Sequence, residues 1–168
     1  GQSVWYDNIA RGLIKSGELK DLIDLGVSGL TSNPTIFEKA ISSGTDYDDA
    51  LSALASEGRS TEEIYEALTL DDIRAAADLL RPAYDRTDGV DGYASLEGNP
   101  HLAHDTEGTV SEARRLFAAL DRPNVMIKVP ATLEGVPAMQ RLIAEGININ
   151  NTLIFSLKSY RSVRAGYI

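Results

Sequence analysis

The feature that most constrains the fold is a regular alternation of strand-like and helix-like segments along the chain. Ser3 to Asp7 (SVWYD), Val27 to Asn33 (VSGLTSN), Val90 to Glu97 (VDGYASLE), Val125 to Val129 (VMIKV) and Ile147 to Phe155 (ININNTLIF) read as five strands. The stretches between them carry apolar residues at helical spacing. In GELKDLIDLG, Leu19, Leu22 and Ile23 share a face, and Gly26 stands where a helix would end. Pro34 occupies a first helical position. Ser60-Thr61-Glu62-Glu63 has the form of a capping box. Thr69 is expected to cap a further helix whose apolar face is Ile73, Ala76, Ala77 and Leu80, with Asp88-Gly89 as the turn that follows. Later helices are expected on Val110, Ala113, Phe117 and Leu120, then on Val136, Met139 and Ile143, and again from Ser156. This order predicts parallel βαβ units, in either an open doubly wound sheet or a (β/α)8 barrel. GLTSNP is not a dinucleotide fingerprint, and no phosphate-binding P-loop occurs.

Composition removes several function classes. There is no cysteine, which excludes disulfides, thiolate chemistry and cysteine-based zinc sites. The net charge of −9, with no basic cluster, argues against a nucleic-acid partner. No apolar run approaches the ~20 residues that cross a bilayer, so no membrane partner is expected. GQSVWYDNIARG lacks the basic-then-apolar pattern of a secretory signal, and a cytoplasmic location is expected. HLAHD offers two imidazoles and a carboxylate, but no further ligand pattern lies nearby. The expectation there is a loop capping the next helix, with no metal.

The polar residues fall in a telling place. Asp7, Asn33 and Glu97 end the first three strands, Lys128 lies near the end of the fourth, and Asn150 and Thr152 lie within the fifth. In parallel α/β folds the C-terminal strand ends face one common site. Alternation places Val125, Ile127 and Val129 on one face of the fourth strand and Met126 and Lys128 on the other. Lys128 then points inward. Burial favours the neutral amine, whereas pairing with Glu97 or Asp7 would keep the proton on it. A neutral amine can attack a ketone and form a Schiff base, with Asp7 and Glu97 as proton-transfer candidates.

These residues resemble a known family. SVWYDNI, GLTSNPTIFEKAI, SLEGNPHLAHDTEGT, VMIKVPAT and EGININNTLIFS are similar, in the same order, to the successive motifs of transaldolases of the longer bacterial type. The resemblance covers essentially all 168 residues. It implies a (β/α)8 TIM barrel of the class I aldolase type, of which residues 1–168 would form the first five βα units, with a helical insertion at about 38–89. It also implies cofactor-free transfer of a dihydroxyacetone unit from a ketose phosphate to an aldose phosphate, in the non-oxidative pentose phosphate pathway. Lys128 matches the Schiff-base lysine and Asp7 the acceptor of the C4 hydroxyl proton. Glu97 matches the glutamate that works with Thr152 through a water. Asn33 and Asn150 match asparagines that hold the dihydroxyacetone hydroxyls, and Thr31 joins them as a substrate-binding candidate. The serine and arginine that hold the substrate phosphate would lie on strands this sequence does not include. The missing half, or another chain, is then the expected partner completing the barrel. Gly98 stands where the family usually carries a branched apolar residue, which would loosen the setting of Glu97. Two further readings follow from the same residues. One is an aldolase that uses free dihydroxyacetone, such as fructose 6-phosphate aldolase. The other is an inactive half-barrel acting as an association module.

Overall fold

Strands and helices alternate as expected in the computed structural model, which describes Gln2 to Ile168. The chain divides into two compact units, the second beginning at Ser95. The first holds β1 (Trp5–Tyr6), α1 (Arg11–Lys15), α2 (Glu18–Asp24), β2 (Gly29–Thr31), α3 (Pro34–Ser42), α4 (Asp48–Ser56) and α5 (Thr61–Arg86). β3 (Tyr93–Glu97) straddles the division. The second unit continues with a 3-10 turn (Pro100–Leu102), α6 (Thr106–Leu120), β4 (Val125–Pro130), α7 (Gly135–Ala144), β5 (Ile149–Thr152) and α8 (Leu157–Tyr167).

Strand order follows chain order: β1, β2 and β3, then β3, β4 and β5. β1 pairs parallel with β2, and β4 parallel with β5. A doubly wound sheet would reverse its order at a switch point. Sequential parallel strands, each followed by helix, are the first βα units of a TIM barrel.

In the first unit, Trp5 stands opposite Gly29 across the β1–β2 pair. A side chain at Gly29 would collide with the indole, so glycine is what lets the ring lie against β2. The indole N–H donates to Asp91, whose carboxyl is held below the usual range. Burial pushes that carboxyl up, but hydrogen bonds from Ser3, Ser28, the Gly92 amide and Trp5 outweigh it. The capping box at Ser60 and Glu63 is present in both directions. The expected break at Thr69 is not. Its hydroxyl donates back to the Glu66 carbonyl, and α5 runs through it for 26 residues. The apolar face continues from Leu68 to Ile73, Ala76, Ala77 and Leu80 without changing phase, so burial outweighs the capping tendency of one threonine. The helix ends at the Asp88-Gly89 turn, where both residues have positive φ.

A polar cluster lies inside this unit. The Arg11 guanidinium donates to Asp72 at 2.8 Å and stacks over the Tyr47 ring at 4.7 Å. The Tyr47 hydroxyl donates to the other Asp72 oxygen at 2.7 Å and accepts the Arg11 backbone N–H at 2.9 Å. Asp72 and Tyr47 are 3% and 2% exposed. Burial pushes the Tyr47 phenol well above its ordinary value, and its bond to Asp72 adds to this.

In the second unit, Val125, Ile127 and Val129 are fully buried while Met126, Lys128 and Pro130 are less so, the alternation expected for β4. The helix faces differ by a position or so from expectation. On α6 Leu116 is buried and Phe117 is not. On α7 the buried residues are Gly135, Ala138, Met139 and Leu142, with Val136 and Ile143 half-buried. Both helices bury a stripe wider than the three- or four-residue match used to find it. β5 ends at Thr152, three residues before Phe155, because Leu153 turns into the left-handed region at φ 63°. Three nearby asparagines divide their work. The Asn148 amide donates to the Pro123 and Val125 carbonyls and Asn151 to the Val129 carbonyl, tying β5 to β4. Asn150 faces elsewhere.

Candidate functional site

The second unit gathers most of the expected polar groups. Lys128 lies on β4 with its side chain only 10% exposed, and its Nζ is 2.9 Å from Glu97 Oε2 at the end of β3. Of the alternatives open for this lysine, pairing with Glu97 is the one observed. The resting geometry is an ion pair and not an isolated amine. Glu97 is more open, with 24% of its side chain exposed. Asn150 stands directly opposite Lys128 in the β4–β5 register, and Thr152 opposite Pro130. Because side chains alternate along a strand, Asn150 and Thr152 share one face of β5. Thr152 is half-buried, and its carbonyl accepts the Ala131 amide, closing the end of the ladder.

The Asn150 amide donates to Ser95 Oγ at 3.0 Å. Ser95 is fully buried on β3, two residues before Glu97. It was not among the expected site residues. The signal for it was the period-two spacing, which puts Ser95 and Glu97 on the same face of β3. Gly98 lies just past β3, outside the strand it was expected to loosen. A Cβ there would meet Glu112 and Leu116 at ordinary contact distances, so an apolar residue fits and glycine is not required for space.

In the first unit the expected residues take other positions. Asp7 lies one residue past β1 and is exposed. Asn33 caps α3, its side-chain oxygen accepting the Ile36 amide at 2.9 Å, with Pro34 at the first helical position. Thr31 ends β2, and its buried hydroxyl has no hydrogen-bond partner among the described residues.

The HLAHD segment behaves as a capping loop. Asp105 accepts the Gly108 amide at the start of α6, and His104 pairs with Glu134 at 3.1 Å on the surface. The His104 contact holds the Glu134 carboxyl below its ordinary range. Among the described residues no three His, Asp or Glu side chains gather as metal ligands.

What these groups can do is limited by their chemistry. A primary amine with a carboxylate at hydrogen-bond distance supports proton exchange between the two, and therefore nucleophilic attack followed by acid–base steps. An amide and a hydroxyl beside it suit a polyhydroxylated ligand.

Comparison with known proteins narrows this further. Residues 4–165 match the family model described as Transaldolase/Fructose-6-phosphate aldolase. The chain is 54% identical to the transaldolase of Thermobifida fusca, over its full length and 46% of that protein. It is 50% identical to transaldolase 2 of Nostoc punctiforme, over its full length and 44% of that protein. The transaldolase of Saccharopolyspora erythraea is 52% identical over 46% of its length. The chain thus spans about half the length of the curated relatives it matches. With the family model covering nearly all of it, the chain belongs to the Transaldolase/Fructose-6-phosphate aldolase family.

Proposed function

We propose that this chain is the lysine-bearing part of a transaldolase, which moves a dihydroxyacetone unit from a ketose phosphate to an aldose phosphate. The observation that carries the reading is Lys128, nearly enclosed and in contact with Glu97. Glu97 receives the ammonium proton, and the freed amine attacks the C2 ketone of fructose 6-phosphate or sedoheptulose 7-phosphate. The carbinolamine loses water, with Glu97 returning a proton and Thr152 holding the water involved. The protonated imine then acts as an electron sink. A base takes the proton of the C4 hydroxyl, the C3–C4 bond breaks, and its electron pair flows into the imine to give an enamine on Lys128. The departing aldose phosphate leaves as an aldehyde. Addition of the enamine to a second aldose phosphate, followed by hydrolysis, reverses these steps. Asp7 as the C4 base, and Asn33 and Thr31 as hydroxyl-binding groups, rest on the family resemblance alone. Asn150, opposite Lys128, is the group on β5 suited to hold the dihydroxyacetone hydroxyls.

The same reading places the protein in the non-oxidative pentose phosphate pathway in the cytoplasm, with the remaining βα units of the barrel as its partner. No helix among the described residues is long and apolar enough to cross a membrane. Large apolar side chains stand exposed after β5, with Phe155 at 87%, together with Leu157 and Ile168. This supports a continuation of the barrel beyond them, or a chain that packs there.

Trapping tests the proposal. Incubation with fructose 6-phosphate and borohydride should leave a reduced adduct on Lys128. A folded chain that forms none, beside a full-length relative that does, would assign this chain a non-catalytic, associating role. The family description also covers fructose 6-phosphate aldolase. The helical stretch α3 to α5, which ends in a helix of 26 residues, favours the transaldolase reading, and rapid release of free dihydroxyacetone without an acceptor would reverse that preference.

A further inference from the structure

We infer that Ser95 is a positioning residue that holds the Asn150 amide in place for a ligand beside Lys128. The inference rests on the transaldolase reading for its ligand, and on geometry for its mechanism. β3 and β5 both flank β4 in the second unit, and the Asn150 to Ser95 bond reaches across β4 from one to the other. Neighbouring strands lie roughly 4.8 Å apart, so the two backbones are about 10 Å apart and only their inward side chains can close the gap. Ser95 is fully buried and Asn150 partly so, which leaves little water to replace the bond.

An asparagine amide has two unlike ends, two N–H donors on one side and a carbonyl acceptor on the other. The Ser95 oxygen accepts from the nitrogen end at 3.0 Å. The acceptor end is thereby turned away from Ser95. Asn150 is in register with Lys128, so its acceptor end is available to a hydroxyl hydrogen of a ligand bound to that lysine. Without Ser95 the amide loses this anchor and is free to turn about its side-chain bonds. A ligand hydroxyl would then meet an acceptor that is no longer held in one place. Ser95 touches no substrate in this account and acts only through Asn150.

A double-mutant cycle tests this. The readout is the fructose 6-phosphate concentration giving half-maximal borohydride trapping on Lys128. Ser95→Ala should raise it roughly three- to tenfold, the range of one net hydrogen bond, and leave the adduct on Lys128. Ser95→Thr, which keeps the hydroxyl, should restore it. In an Asn150→Ala background, Ser95→Ala should change nothing more. An unchanged single variant, or effects that simply add, would overturn the inference. If Ser95→Ala does not fold, Ser95→Cys, similar in size and a poor acceptor, replaces it. Should the unaltered chain give no adduct at all, the transaldolase reading of this chain fails and the positioning is judged by NMR. The Asn150 side-chain N–H protons should then lie away from free-amide positions and move toward them in Ser95→Ala. Identical signals in both proteins would overturn the inference on its own.

Discussion

Tyr47→Phe removes one buried oxygen and almost nothing else. That oxygen holds two bonds. It donates to Asp72 at 2.7 Å, a charge-assisted bond, and accepts the Arg11 backbone N–H at 2.9 Å. A hydrogen bond to a charged group contributes about 1.5–3 kcal/mol, and an ordinary one about 1 kcal/mol. The Arg11 amide opens α1, where a donor without a helical partner can find water, so the lower figure suits it. Asp72 keeps its bond to Arg11, so its charge is not stranded. The ring itself stays, and with it the guanidinium stacked above it. The expected loss is about 3 kcal/mol, which for a chain of this size lowers the melting temperature by roughly 6–12 °C. Urea unfolding with an unchanged slope is the assay. Hydrogen exchange should show the Arg11 amide losing protection before amides of the second unit. A loss under about 1 kcal/mol would mean the polar cluster contributes little, and would refute the reasoning.

Lys128→Met should abolish the trapped adduct while leaving the fold intact, and an adduct surviving in the variant would move the nucleophile elsewhere. Gly29→Ala should destabilise the first unit by about 1–3 kcal/mol through collision with Trp5. Trp5 is the chain's one tryptophan, so its fluorescence reports the change, and an unshifted spectrum would contradict it. Asp72 gives a pH prediction. Burial pushes its carboxyl above the ordinary range, against the hydrogen bonds from Tyr47 and Arg11. The folded state therefore holds that proton more tightly than the unfolded chain. This contribution to stability is fully present below the ordinary aspartate range and is lost as pH rises through the elevated folded value. The stability gap between the native chain and Asp72→Asn should be widest at low pH and narrow as pH rises, in urea titrations at several pH values. A gap that widens with pH would reverse the sign of the argument.

The sequence showed what depends on short-range pattern. The alternation at Val125, Ile127 and Val129 told which way Lys128 points, because a strand repeats every two residues. The Ser60–Glu63 box and the helix start at Pro34 are local chemistry and appear as expected. Thr69 misled because a threonine that caps in isolation is overridden once both flanks are buried in one continuous face. The end of β5 was misplaced because Leu153 is apolar and strand-like yet adopts a left-handed backbone. The pairing of Lys128 with Glu97 was among the alternatives, but choosing it required knowing the distance between two strand ends. The bond between Ser95 and Asn150 joins residues 55 positions apart on strands that are not neighbours, and no local pattern contains it.

The run Asn148 to Asn151 amounts to a frame marker. A parallel strand that slipped by a single residue would turn every side chain to the opposite side. Here a slip in one direction would also put Asn151 where Asn150 stands, so residue type at that position would not reveal the error. The amides of Asn148 and Asn151 prevent it by gripping carbonyls of the adjacent strand, each at a fixed reading position. Three copies of the same side chain thus serve two purposes: two keep the count, and the third is delivered to the lysine.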